Sequence, residues 1–383
     1  MDKYWMDHPS NMIQRKIVIL LSLLILSLIF NGVQFALLSS SQTIISTTTF
    51  TSYHTVTYTV TSTSSVVQVG VEVYPKKFID FMGREVVIEK EPLKIVSCAP
   101  SITEMLAYLG LLEKIVGVDS YSDYPPELLT LKQRGVIEDV GGVVTLSIEK
   151  IVSLSPDIVF IDAGLQGNYV AILEEKGLKV VALHAASLTD IYNGMILIGE
   201  IMGVKEKAFE IVNRMRNTLS NLQSKLNVVR EKTSVLYIGW IEPIWTAGRN
   251  TFIDDLIGAA DGYNVMGDAE GFFMTSPEVI VAKNPQTIII LSGMLGMSPE
   301  EIIAKLRNLP GVDKVEAVKS ERIYILYDQA ENIFARPGPR AHEAVEILAK
   351  ILYPELFNVK IPNVLGGDYR KYLEYSISEI GSS

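Results

Sequence analysis

One cysteine, Cys98, in 383 residues leaves no intramolecular disulfide to form, so sulfur neither staples the chain nor reports its compartment. Histidine is equally scarce. His8, His54, His184 and His342 are scattered, with no spacing that would bring two onto one metal ion. Positive charge is in deficit: a net charge of −10 without a basic cluster argues against a nucleic-acid partner, which needs clustered Lys and Arg. No Asn-x-Ser/Thr sequon occurs, which argues against N-glycosylation. Catalytic signatures are missing too, with no Gly-x-Ser-x-Gly, no His-Glu-x-x-His and no glycine-rich phosphate loop after a strand. Cys98 stands at a strand end without a histidine beside it and reads as a small buried hydrophobe. Asp254-Asp255 and Asp261 read as a helix end and a turn. No catalytic residue, metal site or covalently bound cofactor is expected.

What is present begins with 48% hydrophobic residues, enough for a large core or two domains. Residues 1–16 carry Lys3, Arg15 and Lys16 ahead of Ile17–Leu38. That run of about 22 mostly apolar residues would extend ~33 Å as a helix, against a bilayer core of about 30 Å. The leading positive charge places the amino terminus in the cytoplasm and the remainder outside. A signal anchor is expected over 17–38, with a cleavable signal peptide as the competing reading. No cysteine follows the run, so a bacterial lipoprotein anchor is not expected. From Ser39 to Ser65 roughly two-thirds of the residues are Ser or Thr, a composition that cannot bury a core. Residues 39–70 therefore read as an extended stalk.

The folded part opens with a hairpin around Met82-Gly83-Arg84. Strand-like runs then alternate with helical ones, which predicts parallel sheets covered by helices. The clearest helix, Lys205 to about Arg230, has apolar residues at Phe209, Val212, Met215, Leu219, Leu222 and Leu226. An internal echo flanks it. Ser147-Ile-Glu149 leads to Pro156 and the strand Ile158–Ile161, and Ser276-Pro-Glu278 leads to Pro285 and the strand Thr287–Leu291. The echo predicts two α/β lobes of related construction, 71–203 and 231–383, on either side of a helix over 204–230. Glu149 and Glu278 each suit a first helical turn, where a carboxylate complements the helix dipole.

The stretch Lys94–Glu127 organises the rest. After the strand Ile95-Val96 comes Ala99-Pro100, then Ser101 and Glu104 with capping-box spacing. Ile102, Met105, Leu106 and Leu109 share a helical face, and Gly110 stands where a C-terminal glycine belongs. The strand Ile115–Val118 follows, and it ends in the aromatic loop Asp119–Pro126 at the sheet edge where ligands bind in open α/β folds. The run Gly117-Val-x-Ser120-Tyr-Ser-Asp-Tyr-Pro-Pro126 resembles the substrate-binding proteins of ATP-binding cassette importers for cobalamin, ferric siderophores and haem.

The resemblance covers about residues 76–360. It implies two three-layer α/β lobes with central parallel sheets joined by one long helix, the periplasmic-binding-protein-like fold of the helical-backbone class. It further implies an extracellular, membrane-tethered protein that captures cobalamin or a related corrinoid, with a ferric siderophore or haem as alternative. Partners would be a membrane permease, docked through Glu149 and Glu278, and its ATPase. Expected on the ligand are Tyr121 and Tyr124 from the first lobe, Trp240, Trp245, Phe272 and Phe273 from the second, and Arg336 in Ala335-Arg-Pro-Gly-Pro-Arg340. Arg340 is expected to tie that turn together. Where the cobalamin-binding pattern has an aromatic in the first lobe, this chain has Val140-Gly141-Gly142 and Asp162. A reading from another class is a surface-anchored enzyme or adhesion module on the same fold.

Overall fold

The computed structural model describes residues 74–293 and 296–375. The expected cytoplasmic segment, signal anchor and stalk (1–16, 17–38 and 39–70) lie outside the described residues. The described residues form one compact unit.

The first half contains β1 (Lys76–Ile79), β2 (Glu85–Ile88), β3 (Ile95–Ser97), α1 (Pro100–Tyr108), β4 (Ile115–Val118), α2 (Pro126–Gln133), β5 (Glu138–Asp139), β6 (Gly141–Gly142), β7 (Thr145–Leu146), α3 (Ile148–Ser153), β8 (Ile158–Asp162), α4 (Ala163–Gln166), α5 (Tyr169–Glu175), β9 (Val180–Leu183) and α6 (Leu188–Ile201). The crossing helix is α7 (Lys205–Leu226). The second half contains β10 (Ser234–Ile238), β11 (Trp240–Ile241), β12 (Ile244–Ala247), α8 (Phe252–Ala259), β13 (Tyr263–Asn264), β14 (Phe272–Met274), α9 (Pro277–Lys283), β15 (Thr287–Leu291), α10 (Pro299–Asn308), α11 (Glu316–Lys319), β16 (Ile323–Leu326), α12 (Asp328–Ala335), α13 (Ala341–Leu352), α14 (Pro354–Phe357) and β17 (Val364–Leu365).

Each half is built on a parallel five-stranded sheet, ordered β5-β4-β3-β8-β9 in the first and β13-β10-β15-β16-β17 in the second. The central strands read as unbroken apolar runs because both faces are covered. In β15, Ile289 and Leu291 face a core shared by both halves, whereas Ile288 and Ile290 face a second cluster on the outer side. In β8, Ile158 and Phe160 face the shared core, while Val159 and Ile161 face a third cluster. Both halves therefore grow from one central core, with an outer core on each far side.

The crossing helix runs 22 residues, or ~33 Å. Its buried stripe is Ala208, Ile211, Val212, Met215, Leu219, Leu222 and Leu226, a spacing of three and four that keeps one face inward. It ends at Leu226, short of the expected Arg230. Phe209, expected on the stripe, is off it and exposed, with the Lys205 ammonium 5.6 Å from its ring. Packing against α6 and α13 stabilises this helix more than propensity does.

The helix α1 departs from expectation at its start. Its N-cap is Ala99 and Pro100 opens the first turn, with no side-chain cap. Ser101 and Glu104 form no capping box, because the whole helix is sunk between the halves and Glu104 is committed to two arginines of the second half. Ser147, in contrast, caps α3 by accepting from the Lys150 N–H, and Gly110 follows α1 at φ +77°.

Candidate ligand-binding site

At the carboxyl edge of the first sheet the loop Asp119–Pro125 is held from within. The buried Asp119 accepts the Tyr121 N–H at 2.8 Å and the Ser122 hydroxyl at 2.5 Å. Burial pushes its carboxyl pKa up, against these hydrogen bonds. With its backbone tied, the loop leaves the Tyr121 ring 63% exposed. Beside it stands the β6–β7 hairpin. A Cβ at Gly141 (φ +102°) would lie 2.5 Å from the Thr145 carbonyl, so only glycine closes this turn. Gln166 donates to the carbonyls of Cys98 and Val143 at 2.6 and 2.8 Å, and the Tyr169 hydroxyl donates to Val144 O at 3.0 Å. The pinned hairpin and α4 leave Val144 and Leu165 exposed. These two apolar side chains escaped sequence reasoning, which looked for aromatics where Val140-Gly141-Gly142 and Asp162 stand. Asp162 itself caps α4 through the Leu165 N–H at 2.9 Å.

At the carboxyl edge of the second sheet, β11, β12 and β14 form a small antiparallel sheet. Its register pairs Trp240 with Trp245, Trp245 with Met274, and Ala247 with Phe272. Cross-strand partners share a face, so Trp240, Trp245, Phe272 and Met274 make one apolar surface, with all but the half-buried Trp240 exposed. The Trp240 indole N–H donates to Glu242 O at 2.7 Å, and Lys305 pairs with the Glu242 carboxylate. The opposite face carries Ile241, Ile244 and Phe273, which pack on the outer core, and the buried Thr246, whose hydroxyl donates to Tyr237 O at 2.7 Å. Phe273 is accordingly a core-facing residue and is withdrawn as a ligand contact. The period-two alternation of Phe272-Phe273-Met274 was the available signal, and it points to Met274.

Tyr124 is withdrawn as well. It is 8% exposed, its ring lies 4.0 Å from the Arg340 guanidinium, and its hydroxyl accepts from Arg370 at 2.9 Å. It belongs to a joint between the halves. Glu104 on α1 takes a two-pronged contact from Arg340, at 2.6 and 2.8 Å, with both side chains 2% exposed. Burial alone would lower the Arg340 pKa, but Glu104, with Tyr369 and Glu343, outweighs it and raises it. Arg370 pairs with the buried Glu343 at 3.3 Å, and the Tyr369 hydroxyl donates to the same carboxylate. Burial raises the Glu343 pKa, opposed by Arg370 and Tyr369. Arg340 thus does more than tie its own turn: it crosses to the other half.

Arg336 is also spoken for. It donates to Asp123 Oδ1, to Glu104 Oε1 at 3.4 Å and to Tyr121 O at 3.2 Å. The structure brings it to the Tyr121 loop rather than leaving its charge free. Glu149 and Glu278 are each exposed in the first turn of a short helix, α3 and α9. A hydrogen bond from Ser276 leads the causes that lower the Glu278 pKa. Among the described residues no group of three or more His, Cys, Asp or Glu side chains is placed to hold a metal ion.

The sequence profile of the periplasmic binding protein family matches residues 95–330. An uncharacterized ABC transporter substrate-binding lipoprotein of Bacillus subtilis is 32% identical over 293 residues, covering 75% of this chain and 88% of that one. The vitamin B12-binding protein of Vibrio parahaemolyticus is 25% identical, covering 67% of this chain and 88% of that one. Among solved structures, the periplasmic haem-binding protein of Roseiflexus superposes with a TM-score of 0.60 at 25% identity, covering 69% of this chain and 98% of that one. Proteins of this kind bind small molecules and work with a permease and an ATPase. Two parallel-sheet halves on a crossing helix, an open edge on each sheet and these matches lead to one assignment: the chain belongs to the periplasmic binding protein family, as the substrate-binding component of an ABC importer and not an enzyme.

Proposed function

We propose that this protein captures a flat, largely apolar metal chelate between the carboxyl edges of its two sheets, with a corrinoid such as cobalamin as ligand. The observation that carries this reading is the exposed apolar face of Trp240, Trp245, Phe272 and Met274. A contiguous exposed apolar surface marks a ligand or partner, and a macrocycle can lay its apolar plane against such a face. Tyr121, Val144 and Leu165 supply the opposing rim. Likeness to the Vibrio vitamin B12-binding protein supports the same ligand class. Haem or a ferric siderophore is the second reading, favoured by likeness to the haem-binding protein of Roseiflexus.

In this proposal residues 17–38 anchor the protein, 39–70 hold it off the membrane on the outer side, and lobes at 71–203 and 231–383 meet across the helix over 204–230. Glu149 and Glu278 then dock the loaded protein on its permease, steering and orienting it.

The test is tryptophan-fluorescence titration with cobalamin, cobinamide, haem and ferric siderophores. A corrinoid is expected to quench Trp240 and Trp245, and Trp245→Phe to lose most of that response. A response to haem or a ferric siderophore alone would move the ligand within the class, and silence with every chelate would overturn the reading.

A further inference from the structure

The loop that presents Tyr121 is fastened from both halves. Its root belongs to the first: besides the Asp119 bonds, Ser122 Oγ lies 2.8 Å from the Thr103 hydroxyl, from which it accepts, and Lys132 reaches the Ser120 and Ser122 carbonyls at 3.3 Å. Its tip belongs to the second. Asp123 accepts from Arg336 on Oδ1, and from Gln329 and Asn332 on Oδ2 at 3.4 and 3.3 Å. Positions 329, 332 and 336 are spaced by three and four, so α12 and the residue that ends it turn one stripe of donors toward a single carboxylate.

We propose that Asp123 is a positioning residue for ligand capture: through Arg336 it sets where Tyr121 stands relative to the second half, and so how long the ligand is held. The inference builds on the reading that Tyr121 borders the ligand.

Two observations separate this role from general support. The link between the halves is already made by Glu104 and Arg340, buried and doubly bonded. The Asp123 side chain is 34% exposed at the loop tip, and when its charge is removed Arg336 keeps Glu104 and the Tyr121 carbonyl as acceptors. What Asp123 alone supplies is a charge at the loop tip, two residues from Tyr121. Arg336, in turn, is 13% exposed with both terminal nitrogens engaged by first-half acceptors. A ligand carboxylate would have to displace Asp123 to reach it, so Arg336 acts on the ligand through the loop.

The experiment uses Asp123→Asn in the full chain. The amide keeps an oxygen for Gln329 and Asn332 but removes the charge opposite Arg336. Cobalamin is the probe, followed by stopped-flow tryptophan fluorescence. Its dissociation rate is expected to rise on the order of tenfold, equal to about 1.4 kcal/mol of lost hold on the ligand, with the ligand-free unfolding midpoint nearly unchanged. Asp123→Glu should recover part of the loss. A second measurement needs no ligand. Tyr121→Trp carrying fluorotryptophan reports the loop by 19F NMR, and adding Asp123→Asn should narrow and shift that resonance. An unchanged resonance, or an unchanged dissociation rate where cobalamin binds, would overturn the proposal. A shifted resonance in a protein that binds no chelate would support the positioning of the loop and refute the ligand reading instead.

Discussion

His342, in the first turn of α13, is fully buried. Its Nδ1 lies 2.9 Å from the Pro339 carbonyl, which can only accept, so Nδ1 carries the proton and Nε2 stands without a partner. Charging the ring would add an unpaired donor inside the core. Burial pushes the pKa from the ordinary 6.5 down to about 4; the Pro339 bond and Glu346 oppose this and Arg370 adds to it. Between those values the unfolded chain binds a proton that the folded protein refuses, so stability is lost as pH falls below the unfolded value. At 1.36 kcal/mol per unit the full effect is about 3 kcal/mol, of which about 2 kcal/mol is lost between pH 8 and pH 5. Buried carboxyls such as Glu343 and Asp119 have raised pKa values and act in the opposite sense, gaining stability as pH falls. The measurement is therefore a difference. Urea unfolding of the parent and of His342→Gln, from pH 8 to pH 5, should show the parent losing about 2 kcal/mol relative to the variant. Parallel curves would mean that His342 charges freely in the fold and would refute the reasoning.

Glu104→Gln should lower the unfolding free energy by about 3–5 kcal/mol, the usual effect of removing one partner from a buried pair. Adding Arg340→Met should return part of it, which a double-mutant cycle reads directly. Phe272→Ala and Phe273→Ala, adjacent in β14, should diverge. The first should leave stability within about 0.5 kcal/mol and weaken chelate binding; the second, half-buried against the outer core, should cost about half of the 3–5 kcal/mol that a fully buried phenylalanine does. Circular-dichroism melts beside ligand titrations separate the two. Glu149→Ala with Glu278→Ala should abolish uptake by whole cells while purified protein binds its ligand normally, and retained uptake would remove the docking role.

Much of the fold was legible because local physics repeats at short range. Unbroken apolar runs such as Thr287–Leu291 announce strands covered on both faces, and a three-four stripe announces the crossing helix. Ser147 could be read as a cap because its partner is three residues away. The same local logic misled at Ser101 and Glu104, whose spacing fits a capping box but whose burial between the halves gives Glu104 other partners. The aromatic content of the candidate site was visible in the sequence; which aromatics face outward was not. Phe272 and Phe273 differ only in the face that strand pairing assigns them, and Tyr124 differs from Tyr121 in lying beneath two arginines. Those arginines, and Arg336 on Asp123, meet partners 213 to 246 residues away along the chain. Sequence by itself determined the elements and most of the crossing helix's buried stripe, since periodicity acts over a few residues. Only tertiary packing decided which charges meet and which aromatics remain exposed, because that depends on where the crossing helix brings two distant sheet edges together.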